Sequence, residues 1–167
     1  MGHRALVAYE RPDGRYDVHY AHWGAAGLAL QREITPATPF ADRDQDGWTP
    51  RVDPAPRARA VPFADLSDHL DVREFEALYV VTLAWVVAAY LPLWFGPTLD
   101  SGVSAGALVT VDSPADARRV RRWFRATRAV VRDVVARGAL SEPEAVEYLA
   151  ARVDEWAGDR REVILVE

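Results

Sequence analysis

One segment of the chain, residues 113–137, concentrates positive charge on a predicted helix. It contains eight arginines and two aspartates. At about 100° per residue, Val120, Phe124, Thr127, Val131, Val134 and Val135 share one arc of this helix. The opposite arc carries Arg118, Arg121, Arg122, Arg125, Arg128 and Arg132. Such a guanidinium face can bind a nucleic acid, an acidic protein partner, or the acidic residues of the chain's own segment 142–155.

A second candidate site is the run Asp42-Arg43-Asp44-Gln45-Asp46-Gly47, which matches the start of a calcium-binding loop. Carboxylates at its first, third and fifth positions converge because the glycine turns the chain sharply. Prolines inside and around the run argue against the flanking helices of an EF-hand. The pattern predicts calcium as the candidate cofactor, and an Asp-rich surface loop is the alternative. The expected ligands are Asp42, Asp44, Asp46 and, at the twelfth position, Asp53.

The run Gly102-Val103-Ser104-Ala105-Gly106 matches the nucleophile elbow G-x-S-x-G. An elbow needs a helix after the serine, whereas the residues that follow Ser104 predict a strand. No histidine follows His69, so the order Ser, Asp, His cannot be built. A glycine-rich turn is the favoured interpretation, and a Ser–Asp dyad stays open.

The four histidines are His3, His19, His22 and His69. A predicted hairpin brings His3 opposite or next to His22, and two imidazoles with one carboxylate can ligate zinc or copper. A hydrogen-bonded structural histidine is the simpler interpretation at each position. The alternative function is therefore a small metal-dependent or hydrolase-like enzyme that uses His3 and His22, or Ser104.

Composition excludes several classes of chemistry. The 167 residues include no Cys, which removes disulfides, thiolate metal sites and cysteine nucleophiles. All 20 basic residues are Arg, so there is no Schiff-base or P-loop lysine. The net charge is −5, and Asp outnumbers Glu by 15 to 10, which fits a salt-adapted cytoplasm. GC bias of the genome alone is the other explanation.

The elements that must position these residues begin with a β-hairpin at residues 3–23. Arg4–Glu10 and Arg15–Trp23 flank the turn Arg11-Pro12-Asp13-Gly14. We expect Glu10 to pair with Arg15, and a bulge at Gly14 would shift this register. A loop at about 35–62 follows and holds six of the eleven prolines.

The second half predicts strands and then two helices. A short helix is expected at 65–78, with strands at 78–82, 85–95 and 107–111; a helix through 72–90 is the alternative for that region. Ser113-Pro114 begins a helix that ends at Gly138, and the capping box Ser141-x-x-Glu144 begins another, which reaches about residue 157. A strand over 162–167 closes the chain.

These elements predict one α+β domain over residues 1–167. It has a largely antiparallel sheet, built from the N-terminal β-hairpin and further strands. Two C-terminal helices pack on one face of that sheet, and a short C-terminal strand completes it. The uncharged stretch 77–99 is long enough to span a membrane, but prolines and a glycine interrupt it. We therefore expect buried strands there and no membrane partner.

Four segments of the chain carry a resemblance to known sequences. They are residues 1–11, Tyr16-Asp-Val-His-Tyr-Ala-His-Trp-Gly24, Leu93-Trp-Phe-Gly96 and Arg122-Trp-Phe-Arg125. These segments resemble an uncharacterised family of haloarchaeal proteins. The resemblance covers most of the chain. It implies a cytoplasmic protein of a salt-loving archaeon or of its viruses, and it implies no activity.

The sequence as a whole predicts a small binding or assembly module without catalysis. The arginine face is its expected electrostatic surface. Homo-oligomerisation is one of the states we expect. The expected recognition end is the hairpin, with Tyr16, Tyr20, His22 and Trp23.

Overall fold

The computed structural model describes residues 3–42 and 51–167, and its central element in those ranges is a seven-stranded sheet. The strands are β1 (Ala5–Glu10), β2 (Tyr16–Ala21), β3 (Ala58–Val61), β4 (Ala77–Val81), β5 (Val87–Trp94), β6 (Gly106–Val111) and β7 (Val163–Val166). Their order across the sheet is β3-β2-β1-β4-β5-β6-β7. Neighbours are antiparallel except for β1 and β4, which pair in parallel. The predicted α+β class with a largely antiparallel sheet is therefore confirmed.

Three α-helices accompany the sheet in the described residues: α1 (Leu30–Glu33), α2 (Pro114–Ala136) and α3 (Glu142–Ala157). Helix α2 begins where predicted, because the Ser113 hydroxyl accepts a hydrogen bond from the Asp116 amide and proline occupies the first turn. Helix α3 begins with the predicted capping box between Ser141 and Glu144. Local side-chain chemistry thus set both helix starts.

Each face of the sheet has its own apolar cluster. On one face, α2 and α3 contribute Phe124 and Leu149 to a cluster with Tyr79 and Leu91 of the sheet. The other face packs against a 3₁₀ segment, Phe63–His69. That segment contacts β7, and its cluster also includes Val61 of β3, so the sheet curls around it. Both long helices lie on one face, as predicted.

The hairpin register differs from the expected one by a single residue. Glu10 pairs with Tyr16, where Arg15 was expected. Gly14 adopts φ +77°, and the Arg11 amide donates to the Arg15 carbonyl, so the connection has five residues. His19 consequently lies opposite Val7 in the buried core, where its Nδ1 lies 2.8 Å from the Asp53 carbonyl oxygen.

Three further expectations are corrected in the middle of the chain. The helix predicted at 65–78 is the shorter 3₁₀ segment Phe63–His69. Residues 72–90 form no helix, since β4 and the start of β5 lie there. The proline-rich stretch 35–62 is not all loop, because its end forms β3 against β2. Among the described residues, no helix is both long and apolar enough to cross a bilayer.

Candidate functional site

The arginine face of α2 is divided by its packing against the sheet. Arg128 Nε donates to the Gly96 carbonyl at 2.6 Å, and Arg121 Nη2 approaches the Glu76 carbonyl at 3.5 Å. Both side chains are half-buried, whereas Arg118, Arg122, Arg125 and Arg132 are exposed. Four of the six predicted face arginines are therefore exposed, and the other two pack against the sheet. Part of the face is a flank of α2 that leans on the sheet.

An indole ring anchors two guanidinium groups at this flank. The Cζ atoms of Arg73 and Arg128 lie 4.9 and 4.5 Å from the centroid of the Trp94 ring. This geometry is that of cation–π contacts, which hold a planar guanidinium in a defined orientation. Trp94 Nε1 donates to the Val103 carbonyl at 2.7 Å and so fixes the ring to the loop after β5. The two arginines are thus pre-positioned.

The flank forms one wall of a cavity of about 510 Å³. Its apolar lining includes Val72, Leu91 and Phe124, and its charged lining includes four arginines and Glu76. A second cavity of about 480 Å³ shares Leu99, Arg125 and Arg128 with the first. Together they form a continuous concavity along α2. We call it the Arg groove and define it by Arg73, Trp94, Leu99, Arg121, Arg125, Arg128 and Arg132.

The positive charge of this groove is not neutralised within the described chain. Of the six predicted face arginines, only Arg132 forms an ion pair there, 3.5 Å from Asp133 on its own helix. No residue of the acidic segment 142–155 pairs with them in the described structure. Burial, together with the nearby Arg132, lowers the pKa of Arg128, but a guanidinium still stays charged at neutral pH. Glu76 and Asp100 also line the two cavities, so the groove presents an excess of positive charge from its five arginines.

The predicted aromatic end of the hairpin forms a separate network. It reaches the Arg groove at Glu76, which His3 contacts. His22 Nδ1 and the Tyr20 hydroxyl share a hydrogen bond of 2.8 Å, and the His22 ring lies 5.0 Å from that of Trp23. His3 Nδ1 lies 3.0 Å from a carboxylate oxygen of Glu76, which also lines the groove. Tyr16 lies elsewhere, against Phe63.

The predicted metal sites have different outcomes. Asp44 and Asp46 lie outside the described residues, so the calcium loop stays a prediction. Asp42 is exposed, and Asp53 Oδ1 accepts a hydrogen bond from the Ala55 amide within its own turn. Within residues 3–42 and 51–167, no three His, Asp or Glu side chains are grouped closely enough to hold a metal ion.

Ser104 is exposed in the loop that precedes β6, and a strand follows it, as the sequence indicated. An elbow geometry is therefore absent at this serine. The buried serine of the loop is Ser101, whose hydroxyl donates to Glu142 at the start of α3.

Sequence reasoning assigned no role to Arg73, Trp94 or Leu99. Their proximity to α2 depends on how β5 and its neighbours pack, which no local pattern encodes. The feature of the sequence that could have indicated this wall of the groove is the uncharged stretch 77–99, in which Trp94 lies just before Gly96-Pro97.

Comparison with known proteins gives one family. The model of a family of unknown function, DUF6735, matches residues 1–52 and 45–165. No curated protein and no solved structure matches the chain.

Proposed function

This chain belongs to the family of unknown function DUF6735, and we propose that it is a binding module whose Arg groove takes an acidic segment of a protein partner. The observation that carries the proposal is the excess of positive charge in the groove beside an apolar lining. A partner with carboxylates on one side and apolar side chains on the other complements both features.

The spacing of the arginines supports a partner with regular structure. Arg121, Arg125, Arg128 and Arg132 follow one another at intervals of four, three and four residues. They therefore form a row with one guanidinium per helical turn, or about 5.4 Å. Carboxylates at every third or fourth position of an acidic amphipathic helix have the same spacing. Such a helix can place its carboxylates along the row and its apolar side chains on Leu99, which is 81% exposed.

The aromatic side chains of the groove favour a protein partner over a single-stranded nucleic acid. Nucleic-acid grooves of this kind use exposed rings on which bases stack. Here Phe124 is buried, and the half-buried Trp94 ring is in contact with Arg73 and Arg128.

A direct test is fluorescence anisotropy with a labelled amphipathic acidic peptide whose glutamates recur every third or fourth residue. A single-stranded oligonucleotide of equal charge is the comparison probe. We expect the peptide to bind more tightly, and its affinity to fall as salt screens the charges. The double substitution Arg125→Glu and Arg132→Glu is expected to weaken binding at least about 30-fold, because it places like charges opposite the ligand.

The matched control is Arg15→Glu, which makes the same kind of charge change at an exposed position in the hairpin turn. It should leave peptide affinity within about twofold, since surface charges beyond a Debye length are screened. An equal loss of affinity in the control would mean that the double substitution acts through the net charge of the protein and not through the groove. If the oligonucleotide binds more tightly than the peptide, the partner is a nucleic acid and not an acidic segment of a protein.

One observation favours a second candidate function, a hydrolase-like activity. The His3–Glu76 contact resembles the His–carboxylate pair of general bases, and Glu76 lines the groove in which an anion would be held. Turnover of a phosphate or carboxylate ester that His3→Gln abolishes, with circular dichroism unchanged, would support it. Ester hydrolysis at the same background rate by the parent chain and by His3→Gln would refute it.

We further propose a cytoplasmic, salt-adapted setting in a haloarchaeon or its virus, based on 20 arginines without lysine and on the excess of Asp. The thermal midpoint should then rise steadily as KCl increases from low to molar concentration. A midpoint that is insensitive to KCl would leave GC bias as the explanation.

A further inference from the structure

Strand β7 is one edge of the sheet, and its outer side is open. All four residues of β7 keep solvent exposure, and Leu165 is 55% exposed. By contrast, residues 107–109 of the neighbouring strand β6 are fully buried. Contact with the 3₁₀ segment Phe63–His69 does not bury β7. The described part of the chain therefore leaves this edge uncovered.

The pairing with β6 determines which backbone groups of β7 point to the open side. In an antiparallel pair, opposite residues alternate between those that exchange hydrogen bonds and those whose N–H and C=O groups point away. The Thr110 amide donates to the Glu162 carbonyl at 3.1 Å, so this pair is of the first kind. By alternation, Val163 and Leu165 are of the second kind. Their N–H and C=O groups point outwards, and no other described residue bonds to them.

The opposite edge of the sheet carries features that discourage strand pairing, and β7 carries none of them. Strand β3 has a register shift against β2, and its Ala60 has a φ of +54°. It also carries the exposed charge of Arg59, and Pro62 follows it directly. Bulges, charges and prolines are the devices with which proteins block edge-to-edge association. The strand Val163–Val166 is wholly apolar and pairs with β6 in unbroken register, so its edge favours the addition of another strand.

We propose that β7 pairs antiparallel with β7 of a second copy of this chain and so joins the two sheets into one. A two-fold axis that passes through Ile164, perpendicular to the strand, places Val163 opposite Leu165 of the other copy. Both residues present outward N–H and C=O groups, so each such pair exchanges hydrogen bonds. The same pairing covers the exposed Leu165 side chain with Val163 of the other copy.

A second copy fits this edge because the strand is complementary to itself. The outward groups lie symmetrically about Ile164, so one two-fold axis satisfies all of them. In this register Arg161, which forms an ion pair with Asp116, lies opposite Glu167 of the other copy, and no like charges meet. A shift by one residue would set Glu162 opposite Glu167 and bring outward groups against inward ones.

The proposed interface is separate from the Arg groove. No residue of β7 lines either cavity of the groove. Peptide binding and dimer formation are therefore measured independently, and either proposal can fail alone.

The first test is sedimentation equilibrium of the full chain over a range of concentrations. We expect a dimer whose dissociation constant rises at least about 30-fold in Leu165→Lys, because a charge at the centre of the edge blocks pairing. Leu165→Pro should act likewise, since it removes an outward amide and spares the hydrogen bonds to β6. The matched control is Leu83→Lys, because Leu83 is also 55% exposed, in the turn between β4 and β5. A parent chain that stays monomeric at about millimolar concentration, or a dimer that both lysine variants weaken equally, overturns the proposal.

Amide hydrogen exchange of the parent chain, followed by NMR, tests the pairing without any substitution. Exchange at the amides of Val163 and Leu165 should slow at least about tenfold between dilute and concentrated samples, because only the dimer gives them acceptors. The amides of Ile164 and Val166 face β6 and should be protected at both concentrations, which makes them the internal control. Exchange at Val163 and Leu165 that does not depend on concentration would exclude β7 as the interface.

Discussion

The ion pair between Arg161 and Asp116 ties the C-terminal strand to helix α2. The two guanidinium nitrogens Nη1 and Nη2 donate to the two carboxylate oxygens of Asp116, each at 2.7 Å. Nη1 also donates to the Thr110 carbonyl at 2.9 Å, and the Asp112 amide donates to Asp116 Oδ2. The side chains are only 14% and 12% exposed. The proposed perturbations are Arg161→Met and Asp116→Asn, singly and together.

The expected loss follows from burial and geometry. Removing one partner of a buried pair leaves the other charge without compensation, which costs about 3–5 kcal/mol. Since both groups keep some solvent contact, we expect the lower end, about 3 kcal/mol, for each single variant. In a chain of this size that corresponds to a fall of roughly 6–12 °C in the thermal midpoint. The double variant should lose less than the sum, with a coupling energy of about 2 kcal/mol.

The pH dependence has a defined sign. The hydrogen bonds from Arg161 lower the pKa of Asp116 below its ordinary value. A lowered carboxyl pKa stabilises the fold above the unfolded-state pKa of about 3.9, and that contribution is lost as the pH falls through the folded-state pKa. Asparagine does not titrate. The stability gap between the parent chain and Asp116→Asn should therefore narrow as the pH falls from about 5 to below 3.

The assay is urea unfolding at pH 7 and at stepped acidic pH, followed by tryptophan fluorescence and circular dichroism. Arg4→Met is the control, because its ion pair with Glu74 is exposed, with side chains 42% and 59% accessible. It should change stability by less than about 0.5 kcal/mol. A coupling energy near zero between Arg161 and Asp116, or a gap that does not change with pH, would refute the reasoning.

Two further predictions concern buried contacts. Tyr79→Phe removes the buried hydrogen bond of 2.6 Å to the Gly24 carbonyl and should cost about 1–3 kcal/mol of unfolding free energy, measured by urea titration; a neutral result would mean that water replaces the hydroxyl. Gly96→Ala places a methyl group against the Trp94 ring and should cost about 1–3 kcal/mol while shifting the tryptophan emission; an unchanged emission spectrum would mean that the ring does not move.

Local patterns predicted the elements that rest on local chemistry. The caps at Ser113 and Ser141 act within one helical turn, so their sequence signatures are sufficient. The turn at residues 11–14 was also found, but its register was missed by one residue. The positive φ of Gly14 adds a residue to the connection, and only the pairing of the two strands decides between the two registers.

The candidate site was predicted in part. The row of arginines on α2 is visible in the sequence because helical periodicity groups those positions. The groove in front of it is not, because Arg73 and Trp94 reach α2 only through packing on the sheet. The placement of His19 shows the same limit, since its Nδ1 lies beside Asp53, 34 positions away.

The sequence by itself determined the chemistry that is available and the segments that carry it. It excluded thiol and lysine chemistry, located both long helices, and concentrated the arginines on one of them. These are properties of composition and of neighbours within a turn. Only the tertiary structure decided which arginines pack against the sheet, which form ion pairs with acidic side chains, and which form no ion pair among the described residues. Those outcomes depend on contacts between residues distant in sequence, such as the parallel pairing of β1 with β4, in which Ala5 lies opposite Ala77.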